Sequence, residues 1–138
     1  MRIIYLFIFV ITLFACNKDE SGTLDGRWKL TRYYNLTNGT RESEPSNISR
    51  SIILDFSDNG ITGKLSGHTV RNTVFGDYEL LRDNNMNTIR FGGTKVGEPY
   101  WGAKFWDAIH SASSFDRHSY RLFIYFNSDT EKMEFEIQ

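Results

Sequence analysis

The 138-residue chain contains a single cysteine, Cys16. One thiol excludes a disulfide within the chain and any metal site built from cysteine pairs, so the fold must be held by core packing and sheet hydrogen bonds. Proline is almost as scarce, with two residues. No long Ser- or Gln-rich run is present either, which argues against disorder. Neither sign of charge prevails: 16 Lys and Arg stand against 17 Asp and Glu. Without a basic stripe to meet a phosphate backbone, nucleic acid is not an expected partner. The apolar run Ile3–Phe14 spans twelve residues, short of the ~20 that a membrane-crossing helix needs.

What the chain has in quantity is aromatic residues, 15% of the total, with 11 Phe and 7 Tyr. Broad, stiff side chains of this kind pack well on pleated surfaces, so a strand-rich domain is expected.

The N-terminus reads as an export signal. Arg2 is the positive start and Ile3–Phe14 the apolar segment of a signal peptide. Leu13-Phe14-Ala15-Cys16 resembles the lipobox of bacterial lipoproteins, with Phe14 bulkier than that motif usually carries. The division expected is residues 1–15 as signal peptide, 16–23 as lipid-anchored tether and 24–138 as one domain. Loss of Arg2 leaves 15 basic against 17 acidic residues. The resemblance implies several acyl groups on Cys16, palmitate among the kinds expected. It also implies the membrane as a partner and an outer-membrane location, since two or more chains anchor firmly where one does not. Asn17-Lys18-Asp19-Glu20 is similar to the charged export signal of surface lipoproteins in Bacteroidetes; the plainer reading is a solvated tether.

Along the domain, Gly26–Tyr34 alternates Trp28, Leu30 and Tyr34 with Lys29 and Thr31, the period of a half-buried strand. Residues 35–49, rich in Asn with two Glu and a Pro, read as a long surface loop. Ser51–Phe56 and Ile61–Leu65 flank the turn residues Ser57-Asp58-Asn59-Gly60. Residues 67–75 read as irregular, followed by strands at Gly76–Leu81 and Thr88–Phe91. In Tyr100–Ala112 the residues Trp101, Phe105, Ile109 and Ala112 fall on one helical face, and Pro99 suits the start. Strands Ser119–Phe126 and Lys132–Ile137 close the chain. In the last, Met133, Phe135 and Ile137 face the core and Glu134 and Glu136 face water. The expected fold is mainly β (α+β), a curved, barrel-like antiparallel sheet of about seven strands with one helix.

From Gly26 to Ile137 this order resembles the META domain, the HslJ-like family of bacterial heat-shock lipoproteins. Gly67-His-Thr-Val-Arg-Asn72-Thr-Val-Phe-Gly76-Asp-Tyr78 is similar to that family's glycine, asparagine, glycine, aromatic spacing, and Thr94 and the helix around Phe105 also agree. Where the family commonly carries two cysteines, this chain has Arg71 and Gly97. The resemblance implies structural roles for Gly67, Asn72, Gly76 and Tyr78, and a non-enzymatic envelope protein that supports or binds a partner, in a stress setting. Gly26-Arg27-Trp28 also resembles the Gly-x-Trp opening of lipocalin-like barrels, which implies a carrier of a small hydrophobic ligand. Such barrels place their helix after the last strand, whereas here two strands follow it.

No cofactor, metal centre or catalytic site is expected. His68, His110 and His118 have no ligand-type partners at recognised spacing, and no nucleophile elbow, phosphate loop or dinucleotide fingerprint occurs. Among the aromatics, Tyr100 and Trp106 are the candidates for contact with an envelope protein or small ligand. Trp106 is the first choice for exposure because it points off the face of Phe105.

Overall fold

The first strand carries the largest inward side chains and the first departure from simple alternation. The computed structural model describes residues 22–138, so the expected signal peptide and Cys16 lie outside the described residues. In β1 (Gly26–Asn35), Trp28 and Leu30 are fully buried. The next inward aromatic is Tyr33, not Tyr34. Against the C-terminal strand, Leu30 pairs with Phe135 but Arg32 with Glu134, so Thr31 is an extra residue. A bulge of this kind reverses the alternation beyond it, which sends Tyr34 outward.

The remaining elements are β2 (Thr40–Ser43), β3 (Ile53–Asp58), β4 (Thr62–His68), β5 (Thr73–Leu80), β6 (Met86–Gly93), α1 (Tyr100–His110), β7 (Ala112–His118), β8 (Arg121–Phe126) and β9 (Glu131–Ile137). They form one antiparallel sheet in the order β6-β5-β4-β3-β1-β9-β8-β7, with β2 branching from β1. The sheet curls until its two outer strands approach, and an isolated bridge joins Asn85, just before β6, to Ser114 of β7. Helix α1 connects those strands and turns Trp101, Phe105 and Ile109 into the interior. The mainly β, barrel-like architecture with one helix is therefore as the sequence reads.

Several local expectations are corrected. The sheet has nine strands. The expected loop 35–49 contains β2, a polar strand paired to β1 from Arg32↔Ser43 to Asn35↔Thr40; with neither face in the core, it has no hydrophobic period to read. The irregular stretch 67–75 is mostly strand, because β4 continues to His68 and β5 begins at Thr73. Three strands follow α1, since β7 directly succeeds the helix. Its inward residues, Ala112 and Phe115, are an odd interval apart because the register slips between Ala112 and Ser114. In β9, Glu134 is buried with Met133 and Phe135, whereas Ile137 is 39% exposed.

The interior is filled by Trp28, Tyr33, Tyr78, Trp101, Phe105, Phe115 and Phe135, all buried. Burying an apolar side chain of this size contributes about 1.5–3 kcal/mol. Tyr33 meets Trp101 edge-on at 4.6 Å between ring centroids, and its hydroxyl donates to the Trp101 carbonyl at 3.1 Å. These contacts fix the helix start over the sheet.

Successive connections of such a meander alternate between two ends. The start of β1, the turns 59–61, 81–85 and 119–120, and the end of β9 share one end. The connection 69–72, the β6–β7 crossing with α1, and the turn 127–130 share the other. The first end is knitted by backbone bonds, Leu80 N to Ile61 O at 2.7 Å, Ile137 N to Tyr120 O at 3.0 Å and Gln138 N to Arg27 O at 2.9 Å.

Candidate functional site

Residues 94–98 leave β6 for α1 without regular pairing, and a buried asparagine holds them. Asn72, 1% exposed, lies in the short connection between β4 and β5. Its Nδ2 donates to Val96 O at 2.8 Å and to Glu98 Oε1 at 2.6 Å. Its Oδ1 accepts from Val96 N at 2.7 Å and from Thr94 Oγ1 at 2.9 Å. Two donors and two acceptors are the full capacity of an amide, so the side chain is saturated. Thr94 Oγ1 also accepts from Thr73 N at 3.1 Å, tying the same segment to the start of β5.

Glu98 completes the clamp. Its carboxylate accepts from the Thr69 hydroxyl, from Asn72 and, at 3.3 Å, from the Arg71 backbone N–H. Arg71 Nη1 donates to Gly97 O at 2.9 Å. A Cβ on Gly102 would overlap the Glu98 carboxylate, so glycine in the first turn of α1 gives this group its place. A carboxylate beside a helix N-terminus is also favoured by the helix dipole.

Between this clamp and α1 opens a recess of about 400 Å³, lined by Asn72, residues 94–98, Ala103, Trp106 and Asp107. Trp106 is half-buried, not the exposed aromatic expected: Phe91 packs on it edge-on at 4.7 Å. That contact comes from β6, beyond the reach of helical periodicity. The Trp106 Nε1 is shielded from solvent and has no hydrogen-bond partner. Tyr100 is the exposed member of the pair, at 66%. It lines an adjoining recess of about 430 Å³ with Lys104, Phe126 and Glu131 among others.

The other motif residues are distributed differently. Gly67 has φ +145°, and a Cβ there would come within 2.2 Å of Ile53 O. Gly76 sits close to Arg90 O, which a Cβ would approach to 2.5 Å. Tyr78 lies towards the opposite end of the sheet, donating to Asp58 Oδ2 at 2.8 Å and lining a third recess of about 410 Å³. Burial and then the Asp58 carboxylate hold its phenol well above the ordinary value. Cys16 is outside the described residues.

Two groups escaped the sequence reading. Glu98 precedes the Pro99 cap and is bonded to Thr69, Arg71 and Asn72, so helix-start rules do not point to it. Glu134 carried no sequence signal either. It is buried on the outer face, accepting from Tyr34 Oη at 2.6 Å and from Arg32 Nη1 at 3.3 Å. Arg121 Nε lies 3.6 Å away.

The polar atoms of Asn72 and Glu98 are bonded to one another and to Thr69, Arg71, Thr94 and Val96. Among the described residues, no group of three or more His, Cys, Asp or Glu side chains is placed to hold a metal ion. Among those residues, no helix is long and apolar enough to cross a membrane.

By sequence the chain matches no family profile and no curated protein. Its fold is similar to that of two solved structures. A protein from Burkholderia xenovorans, determined by NMR, has a TM-score of 0.65 and 20% identity over 83% of this chain and 82% of that one. A DUF4847 family protein from Bacteroides vulgatus, determined by crystallography, has a TM-score of 0.61 and 16% identity over 81% of this chain and 92% of that one. At these identities the likeness shows the fold alone.

Proposed function

We propose that this chain is a non-enzymatic envelope lipoprotein, held at the outer membrane through Cys16, whose META-like domain binds a partner with the end that carries α1. The observation that carries the binding reading is the recess beside Trp106. Its wall is held by the saturated Asn72 amide, and Trp106 gives it an aromatic side. A concave, partly aromatic recess of this kind suits recognition of a partner group. The anchoring reading rests on Leu13-Phe-Ala-Cys16.

The lipocalin-like carrier is the second reading, favoured by Gly26-Arg27-Trp28. An interior occupied by Trp28, Tyr33 and Trp101 leaves the first reading the better supported.

Two measurements on the full chain test the proposal. Cys16→Ser should abolish palmitate labelling and release the protein from membranes; equal retention of both forms would sink the anchoring reading. Crosslinking in the native envelope should give a defined adduct that Ala103→Arg, at an exposed helical position lining the recess, loses at unchanged Tm. Saturable uptake of a fatty-acid probe, indifferent to Ala103→Arg, would instead favour the carrier.

A further inference from the structure

Among the described residues, Leu36, Val96 and Tyr100 are exposed towards the α1 end, and Phe75 and Ile89 within β5 and β6. Four other exposed large apolar side chains gather at the end where the chain enters. Ile61 (68% exposed), Leu81 (51%) and Tyr120 (75%) occupy the tips of the β3–β4, β5–β6 and β7–β8 turns, and Ile137 (39%) ends β9. All four belong to one end of the curled sheet, the end where the described chain enters. There Thr23 Oγ1 donates to Asp58 Oδ1 at 2.8 Å, and Leu24 N to Asp58 Oδ2 at 2.9 Å. Leu24 is fully buried. Arg117 of β7 donates to the Asp25 carbonyl at 2.9 Å. The entry point is thus fixed to β3 and β7 at the same end.

We infer that this end is a lipid-facing rim, with Ile61, Leu81 and Tyr120 resting in the membrane interface beside the anchor. The inference rests on the lipoprotein reading and adds an orientation to it. Six residues, Cys16 to Ser21, precede Gly22. Even fully extended at ~3.3–3.6 Å per residue, they hold the entry end within about 20 Å of the acylated cysteine. Apolar turn tips that close to a bilayer are positioned to leave water for the interface. Tyrosine suits that depth because its ring is apolar and its hydroxyl polar.

Charge alone does not account for the attraction. Arg82 and Arg121 flank the tips Leu81 and Tyr120, but Asp25 and Asp83 share the end. The rim should therefore hold its position at high salt, unlike a polybasic surface. With this end on lipid, the recess beside α1 faces away from the membrane, where a partner can reach it.

The experiment uses the full lipidated chain in vesicles of phosphatidylethanolamine and phosphatidylglycerol. A fluorophore is attached at Gln138→Cys, next to the rim, or at Thr37→Cys, in the β1–β2 turn of the opposite end. The expected result is several-fold protection from aqueous iodide at position 138 and none at 37, unchanged by high salt. Adding Ile61→Ser, Leu81→Ser and Tyr120→Ser should restore iodide access at 138 while leaving palmitate labelling, flotation and Tm intact. If the labelled protein floats with the vesicles yet 138 is as accessible with the native tips as with the serines, the rim inference is overturned and anchoring stands. Absence of acyl groups on Cys16 overturns both. Protection that persists without vesicles marks contact between copies of the chain and also overturns the rim.

Discussion

The side-chain amide of Asn72 and the backbone of Val96 bond each other twice, Nδ2 to O at 2.8 Å and N to Oδ1 at 2.7 Å. The pairing copies one rung of an antiparallel ladder with a side chain in place of a strand. It gives an unpaired connection two ladder-like bonds and aligns Glu98 with the start of α1.

Asn72→Ala should destabilise the protein by about 2–4 kcal/mol, since each buried group left unpaired costs about 1–3 kcal/mol. Asn72→Asp keeps the two acceptors but removes both donors and sets a carboxylate against Glu98. Its deficit in urea denaturation should shrink on moving from pH 7 to pH 4, as the like charges are relieved. A deficit equal at both values would show that the two groups do not interact.

Glycine substitutions should separate by position. Gly67→Ala meets Ile53 O and a positive φ, and Gly76→Ala meets Arg90 O, whereas a Cβ at Gly97 meets nothing within 4 Å. The first two should lose at least ~1 kcal/mol, while Gly97→Ala should stay within about 0.5 kcal/mol of wild type. Thermal melts of the three variants decide it.

Acid stability should depend on Asp58. Burial by itself would raise its pKa, but hydrogen bonds from Leu24 N, Tyr78, Thr23 and Gly60 N outweigh that and hold the carboxyl below its usual range. Its contribution is thus present above the unfolded value of about 3.9 and lost as pH falls through the lower folded value. Asp58→Asn should be less stable than wild type at pH 7, and the gap should narrow as the pH drops below about 4. A pH-independent gap would assign the acid sensitivity elsewhere, with Asp77, also held low first by Lys64, the next group to test.

Trp28 joins the core to the entry segment, its Nε1 donating to Leu24 O at 2.9 Å. Trp28→Ala should cost roughly 3–5 kcal/mol. Trp28→Phe should cost less, keeping the packing while leaving Leu24 O without its donor. With no second cysteine, reducing agent should leave every one of these melting curves unchanged.

Much of the fold was legible because strands and helix bury one face and leave a period in the sequence. Trp28 and Leu30 in β1, Leu54 and Phe56 in β3, and Trp101, Phe105 and Ile109 in α1 are all buried, as their spacing implies. Where the period is broken or missing, the reading failed. Thr31 bulges and exchanges Tyr34 for Tyr33. Strand β2 has no buried face, and β7 slips register after Ala112.

The sequence by itself determined the lack of a disulfide within the chain, a mainly antiparallel β architecture with one helix, and a core built from aromatic residues. Tertiary structure decided which polar groups matter, because burial of a carboxylate depends on what arrives from other strands. Glu134 has the alternation of a surface residue, yet Tyr34 and Arg32 from β1 and Arg121 from β8 close over it. Curling of the sheet also decided that Ile61, Leu81 and Tyr120, distant along the chain, share one rim. No periodicity within a segment encodes that, because it follows from how many strands lie between the turns and which way each one runs.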